Sequence, residues 1–254
     1  MGRRAGFVVA VVLALAWPAE AETRLHERFD AGWRFHLGDV QEGQDAGLND
    51  SNWRPVTLPH DWSAELEFSP TNASGTGFLP GGIGWYRKTF VTETNWEGRR
   101  MFLTFDGVYR NADVWINGHH LGQRPYGYIT FQYDITPHLT AGGTNVVAVR
   151  VDRENVADSR WYPGSGIYRH VWLTGTHPVH VPLWGDFITT PRADTESADV
   201  VAHTDVINGT AAAQAVRVTW QILTPDGTAL VEHEQRERVR SGATHTFSQW
   251  QKVR

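Results

Sequence analysis

Two short stretches of the chain carry side chains that could do chemistry. The first is Leu58-Pro59-His60-Asp61-Trp62. A proline ahead of a His-Asp pair describes a fixed, extended segment able to aim two polar side chains, and equally a loop whose Asp61 accepts backbone hydrogen bonds. The second is Ser159-Arg160-Trp161-Tyr162-Pro163-Gly164-Ser165-Gly166-Ile167-Tyr168-Arg169. Adjacent aromatics, a Pro-Gly turn and an arginine suit an exposed loop, where Trp161 or Tyr162 stacks on a sugar face and Arg160 donates to hydroxyls. A packed aromatic corner fits the same residues, and composition alone favours it.

Other chemistries find no support. His119 and His120 are adjacent on an expected strand, so they point to opposite faces and make a poor metal pair. Gly81-Gly82-Ile83-Gly84 precedes strand-like alternation from Trp85 to Val91, whereas a phosphate cradle needs a helix N-terminus behind it. Neither a zincin motif nor a nucleophile elbow is present, and no metal or cofactor is predicted.

The elements that must position these residues are strands. From Asp106 to Leu121, Ala112, Val114 and Ile116 alternate with Asp113, Trp115 and Asn117, the period of a strand with two unlike faces. Asn117-Gly118 then predicts a tight hairpin that returns through His119 to Gln123. Further strands are expected over Met101 to Asp106, Gly127 to Tyr133, Asn145 to Val151 and Arg169 to Thr174. Glu22 to Asn52 reads as a lead-in strand and loops, with no period from Gly38 to Asn52. The Gly/Ser/Pro-rich stretch from Ser69 to Gly84 reads as a mobile or ligand-facing loop.

With 254 residues and 41% hydrophobic side chains, the chain has room for one large or two modest all-β domains. Its 23 basic and 28 acidic residues are scattered, which argues against nucleic acid. Twelve tryptophans suit aromatic β cores and, for some of them, sugar-stacking surfaces. The N-terminus reads as an export signal: Gly2-Arg3-Arg4, an apolar run from Phe7 to Ala16, and a cleavage site at Ala19-Glu20-Ala21. A signal peptide over residues 1–21 and no later apolar run long enough to anchor the chain predict a periplasmic or secreted protein. There is no cysteine, so the fold must rest on its apolar core.

After Thr176-His177-Pro178 the composition changes. Val216, Val218, Trp220 and Ile222 alternate with Arg217, Thr219 and Gln221 as a half-buried strand, and Thr224-Pro225-Asp226-Gly227 predicts the turn that follows. Asn208-Gly209 marks an earlier turn whose match to a glycosylation sequon is read as incidental.

Three ordered motifs carry a resemblance: Trp85-Tyr86-Arg87-Lys88, Asp113-Val114-Trp115-Ile116-Asn117-Gly118 and Gly164-Ser165-Gly166-Ile167-Tyr168-Arg169. Together they resemble the N-terminal sugar-binding domain of glycoside hydrolase family 2, and within it the bacterial β-galactosidases, over Leu25 to Gly175. The resemblance implies an all-β chain: a jelly-roll, galactose-binding-like sandwich over residues 22–178, then a partial immunoglobulin-like sandwich over 179–254. It also implies a β-linked galactoside or related carbohydrate as partner. In the family, two catalytic glutamates sit on a (β/α)8 barrel of about 250 residues, and nothing in this sequence resembles it. A truncated, catalytically inactive member is therefore expected, with a stand-alone carbohydrate-binding module or a non-binding structural sandwich as alternatives. The family's first domain lends loops to the rim of the active site, where an acid can touch the sugar. Counting back from Gly166, Arg160 takes that acid's place, which leaves Asp61, Ser159, Arg160 and Trp161 as the candidate substrate-binding residues.

Overall fold

The structure, a computed structural model, describes residues 24–154 and 161–253. The expected signal peptide lies outside the described residues. The first ten strands are β1 (Leu25–Arg28), β2 (Trp33–Leu37), β3 (Arg54–Val56), β4 (Gly82–Val91), β5 (Arg100–Phe105), β6 (Ala112–Ile116), β7 (His119–Arg124), β8 (Phe131–Asp134), β9 (Thr144–Arg153) and β10 (Val171–Thr176). They form two antiparallel sheets, a six-stranded one in the order β3-β2-β4-β9-β6-β7 and a four-stranded one in the order β1-β10-β5-β8. The only helices among the described residues are short 3-10 turns.

Period-2 alternation builds the core between these sheets. Ala112, Val114 and Ile116 of β6 and Val147, Val149 and Val151 of β9 face Met101, Leu103 and Phe105 of β5 and Val171 and Leu173 of β10. Each fully buried side chain of this kind contributes about 1.5–3 kcal/mol. The Asn117-Gly118 hairpin forms as expected, with φ of 50° and 81°. Asn117 also does more than turn the chain. Its Nδ2 donates to His138 O and Asn145 Oδ1, and its Oδ1 accepts from Val146 N, all at 2.8 Å. His119 stacks on His138 while His120 bonds Asp113, so the two imidazoles do part to different neighbours.

One expected strand is shorter than its alternation suggested. The expected strand from Gly127 begins only at Phe131. A side chain at Gly127 would run into Tyr109, and Gly127 O accepts from Tyr168 Oη at 2.9 Å, so this stretch packs as a loop rather than pairing. Gly82 and Gly84, placed in a loop by their composition, belong to β4. Gly84 lies against the rings of Trp62 and Phe35, where a Cβ has no room.

The outer faces of the two sheets differ. On the six-stranded sheet Trp53, Ile83, Trp85 and Ala148 form a second cluster, covered by Val40 and Leu48 from the aperiodic stretch after Gly38. Arg87, 1% exposed, ties that cover down. It donates to Gly43 O at 2.7 Å, Asp45 O at 2.9 Å and Asp50 Oδ2 at 3.0 Å. On the four-stranded sheet the outward residues are polar or aromatic, among them Trp172, Thr174, Phe102, Thr104 and Gln132.

The remaining strands are β11 (Val179–His180), β12 (Asp186–Ala193), β13 (Ala198–Asn208), β14 (Gln214–Leu223), β15 (Ala229–Val239) and β16 (Thr244–Val253). β11, β12 and β16 pair with β13, and β14 pairs with β15. Val206, Val239 and Phe247 are the buried core between these two small sheets, with Val216, Val218 and Trp220 half-buried against it. The sequon asparagine is structural: Asn208 is wholly buried and its Nδ2 donates to Ala212 O and Val239 O at 2.8 and 3.0 Å.

Candidate functional site

The His60-Asp61 segment and the Gly164–Arg169 motif are zipped together by backbone. His60 N donates to Ile167 O at 2.8 Å and Trp62 N to Ser165 O at 3.1 Å. On the motif's other side Tyr109 and Gly166 exchange both backbone hydrogen bonds. The Leu58-Pro59 peptide is cis. Beneath the zipper, Ser63 and Ser165 are fully buried and hydrogen-bonded to each other at 2.5 Å, and Arg153 Nη1 donates to Ser165 Oγ at 2.6 Å. Gly166 sits at φ 113°, where an L side chain is strained, and a Cβ there would strike the Tyr86 hydroxyl.

Within this frame the two polar residues of the first segment part company. His60 is buried and committed, its Nδ1 to Tyr86 Oη at 2.7 Å and its Nε2 to Arg54 and Glu65. Burial pushes its imidazole below the ordinary histidine range. Asp61 turns outward. Its Oδ1 accepts from Ser63 N at 3.1 Å and Ser165 N at 2.9 Å, the backbone-capping role that the sequence left open. Its Oδ2 accepts from Tyr162 Oη at 2.5 Å. Burial, followed by this bond to Asp61, raises the Tyr162 phenol well above its usual value, so it stays a donor.

Trp161 adjoins Tyr162 and is 58% exposed, with its Nε1 donating to Tyr128 Oη at 2.8 Å. Tyr126 packs edge-on to Tyr128 with ring centroids 5.5 Å apart and is itself largely exposed. A fixed carboxylate with a phenol donor, beside exposed aromatic faces, is suited to a flat ligand bearing hydroxyls. Among the described residues, Asp61's hydrogen-bond partners are two amides and a phenol.

Of the four expected site residues, the structure places Asp61 and Trp161 on one rim; Ser159 and Arg160 lie outside the described residues. Tyr162, which the sequence suggested only as a stacking ring, is instead the donor to Asp61, and Tyr126 and Tyr128 were missed as members. Tyr126-Gly127-Tyr128 follows a proline, a loop signal that its apparent strand alternation obscured. The motifs that carry the family resemblance turn out to be mostly scaffold. Trp85 stacks on Trp115 with centroids 5.4 Å apart, Tyr86 holds His60, and Arg87 holds the cover.

The family profile of Glycosyl hydrolases family 2, sugar binding domain, matches residues 27–177. The chain is 45% identical over 223 residues to Beta-galactosidase BoGH2A of Bacteroides ovatus, covering 87% of this chain and 26% of that protein. It is 31% identical over 237 residues to Beta-glucuronidase of Formosa agariphila, covering 84% of this chain and 24% of that protein. Among solved structures, a glycosyl hydrolase family 2 member from Bacteroides cellulosilyticus superposes with TM-score 0.80 at 38% identity, over 90% of this chain and 31% of that one. A Bacteroides uniformis beta-glucuronidase superposes with TM-score 0.81 at 29% identity, over 91% and 28%. The chain thus spans about a quarter of the length of the curated relatives it matches. A profile match over more than half of the chain means that the chain belongs to glycosyl hydrolases family 2.

Proposed function

We propose that this chain is the carbohydrate-recognising part of an exported family 2 glycosidase, and that its Asp61, Tyr162 and Trp161 rim contacts a β-linked galactoside or related sugar. The carrying observation is the Asp61 carboxylate, fixed by two backbone amides with its second oxygen aimed at an exposed phenol. Ser159 and Arg160, which lie outside the described residues, stay in the proposal on their sequence alone. The galactoside preference draws on the name of the Bacteroides ovatus relative, and export on the N-terminal signal. A non-binding structural sandwich would bury Trp161, which is instead 58% exposed.

Retaining hydrolysis needs two carboxyl groups about 5–5.5 Å apart, one protonated and one ionised, on a rigid frame. The bonds that Asp61 accepts from two amides and a phenol are those of a fixed ligand contact, and the chain is expected to bind weakly and to turn over nothing. The test is an assay of the purified chain with aryl β-galactosides and a panel of other aryl glycosides. Turnover that co-purifies with the chain and disappears in Asp61→Asn would overturn this reading of Asp61.

A further inference from the structure

A cleft of about 650 Å3 lies between the outer face of the four-stranded sheet and the segment that follows β11. It shares no lining residue with the Asp61 rim, and the inference drawn from it does not rest on that rim. Strand register builds its floor. Trp172 stands opposite Thr104, Thr174 opposite Phe102 and Thr176 opposite Arg100, so one face of β10 and β5 alternates aromatic, hydroxyl and guanidinium groups. β8 extends the row, since Gln132 faces Thr104 and Asp134 faces Phe102. Unlike the outer face of the other sheet, which Val40 and Leu48 cover, this one faces the cleft.

The wall opposite is supplied by His180 to Trp184. His180 packs on Phe102 with ring centroids 5.7 Å apart. Trp184 lines the cleft, is 70% exposed, and is held at φ 58°, a left-handed conformation uncommon for a bulky residue. Such strain persists where a side chain's placement matters or its surroundings impose it.

Two features of the floor point to a ligand. Thr176, only 4% exposed, is among the residues lining the cleft, and its buried hydroxyl has no hydrogen-bond partner among the described residues. The Nε of Arg100, its cross-strand neighbour, is likewise buried without one. Buried polar atoms are nearly always satisfied, so two orphans side by side in a lined cleft call for an occupant that supplies partners. Charge selects its class. Arg24 and Arg100 are balanced by Asp106 and Asp134, with Arg100 and Asp134 paired directly, so the cleft holds no net positive field for a phosphate or carboxylate. Flat aromatic faces beside both donors and acceptors suit a neutral, polyhydroxylated ring.

We propose that this cleft is a second carbohydrate site, taking a neutral oligosaccharide that stacks on Trp184 and hydrogen-bonds Thr176 and Arg100. Its volume falls within the range of about 300–1,000 Å3 typical of small-molecule sites.

Tryptophan fluorescence of the full chain, titrated with cellotetraose, β-1,4-galactotetraose, xylotetraose and maltotetraose, tests the site. A saturable change with at least one of them is expected, weakened about tenfold by Trp184→Ala, a loss of about 1.4 kcal/mol. Thr176→Val should also weaken it. Trp184 is largely exposed, so its replacement should not alter the melting temperature, and Thr176→Ser gives a second variant that keeps the hydroxyl and the binding. Absence of any saturable response overturns the proposal. So does a response abolished by Trp161→Ala but not by Trp184→Ala, which assigns the sugar to the rim and leaves that reading standing. A response to inorganic phosphate alone overturns the neutral-ligand assignment.

Discussion

Strands β1 to β10 and strands β11 to β16 follow the same period-2 rule, yet they end with very different interiors. In the first region, inward rows from both sheets interlock into a cluster that runs from Phe29 to Leu173. In the second, ten-residue strands such as β14 and β16 gather a buried apolar cluster of only Val206, Val239 and Phe247. The hydrophobic alternation of Val216, Val218, Trp220 and Ile222 is as regular as that of β6, but these residues are only half-buried, because a two-stranded sheet cannot cover a neighbour's whole face. Regular alternation therefore indicates a strand and says little about how much that strand stabilises. Exposed Phe187, Ile188 and Trp250 add apolar surface on the second region and none to its core.

Matched substitutions separate the two regions most strongly. Phe105→Ala removes a ring from the large cluster and is expected to cost about 3–5 kcal/mol in the first region's unfolding free energy. Phe247→Ala removes one of the three side chains of the second region's buried apolar cluster, and that region should then unfold on its own. Limited proteolysis of each variant reads this: cleavage confined to residues 186–253, with 25–176 resistant, is expected for Phe247→Ala. In the wild-type chain the second region should also be cut first, and equal protection of both regions would break the comparison.

Next in size is Gly166→Ala, which forces a Cβ into a left-handed position against Tyr86 and His60. A loss of about 3 kcal/mol is expected in chemical denaturation, confined to the transition of the first region. Arg87→Met should act more locally. It takes the donor from the carbonyls of Gly43 and Asp45 and leaves Asp50 to Arg34 alone among the described residues. The expected outcome is early proteolysis within residues 38–52 together with a loss of about 3 kcal/mol.

The smallest effect is a pH dependence. His60 has a folded-state pKa below its unfolded value because burial disfavours the imidazolium. The unfolded chain therefore binds a proton first as pH falls below about 6.5. Stability contributed by His60 is fully present above that pH and is lost as pH falls toward the folded value. Denaturation midpoints at pH 7.5 and 5.5 should show the drop in the transition of the first region. His60→Gln, which does not titrate, should show less of it.

Most of the strand framework was legible along the chain. Alternation marked β6, β9 and β14 because side-chain direction in a strand depends only on residue parity, and Asn117-Gly118 marked its hairpin because positive φ is a local property. The Gly127 stretch shows the limit, since its alternation yields to the packing of Tyr109, a contact no local pattern contains. The candidate site was legible only in part. Asp61 and Trp161 could be singled out by type, but the pairing of Asp61 with Tyr162 and Ser165 joins residues a hundred positions apart through a backbone zipper.

By itself, then, the sequence determined the all-β class and the family, since these follow from periodicity, turn chemistry and ordered motifs. Tertiary structure alone decided that His60 is buried while its neighbour Asp61 turns outward, that Arg87 pins a cover over one sheet, and that the other sheet keeps an open face beneath Trp184. Those outcomes depend on register and on which surfaces meet across the fold, where a shift of one residue would turn every side chain of a strand to its other face.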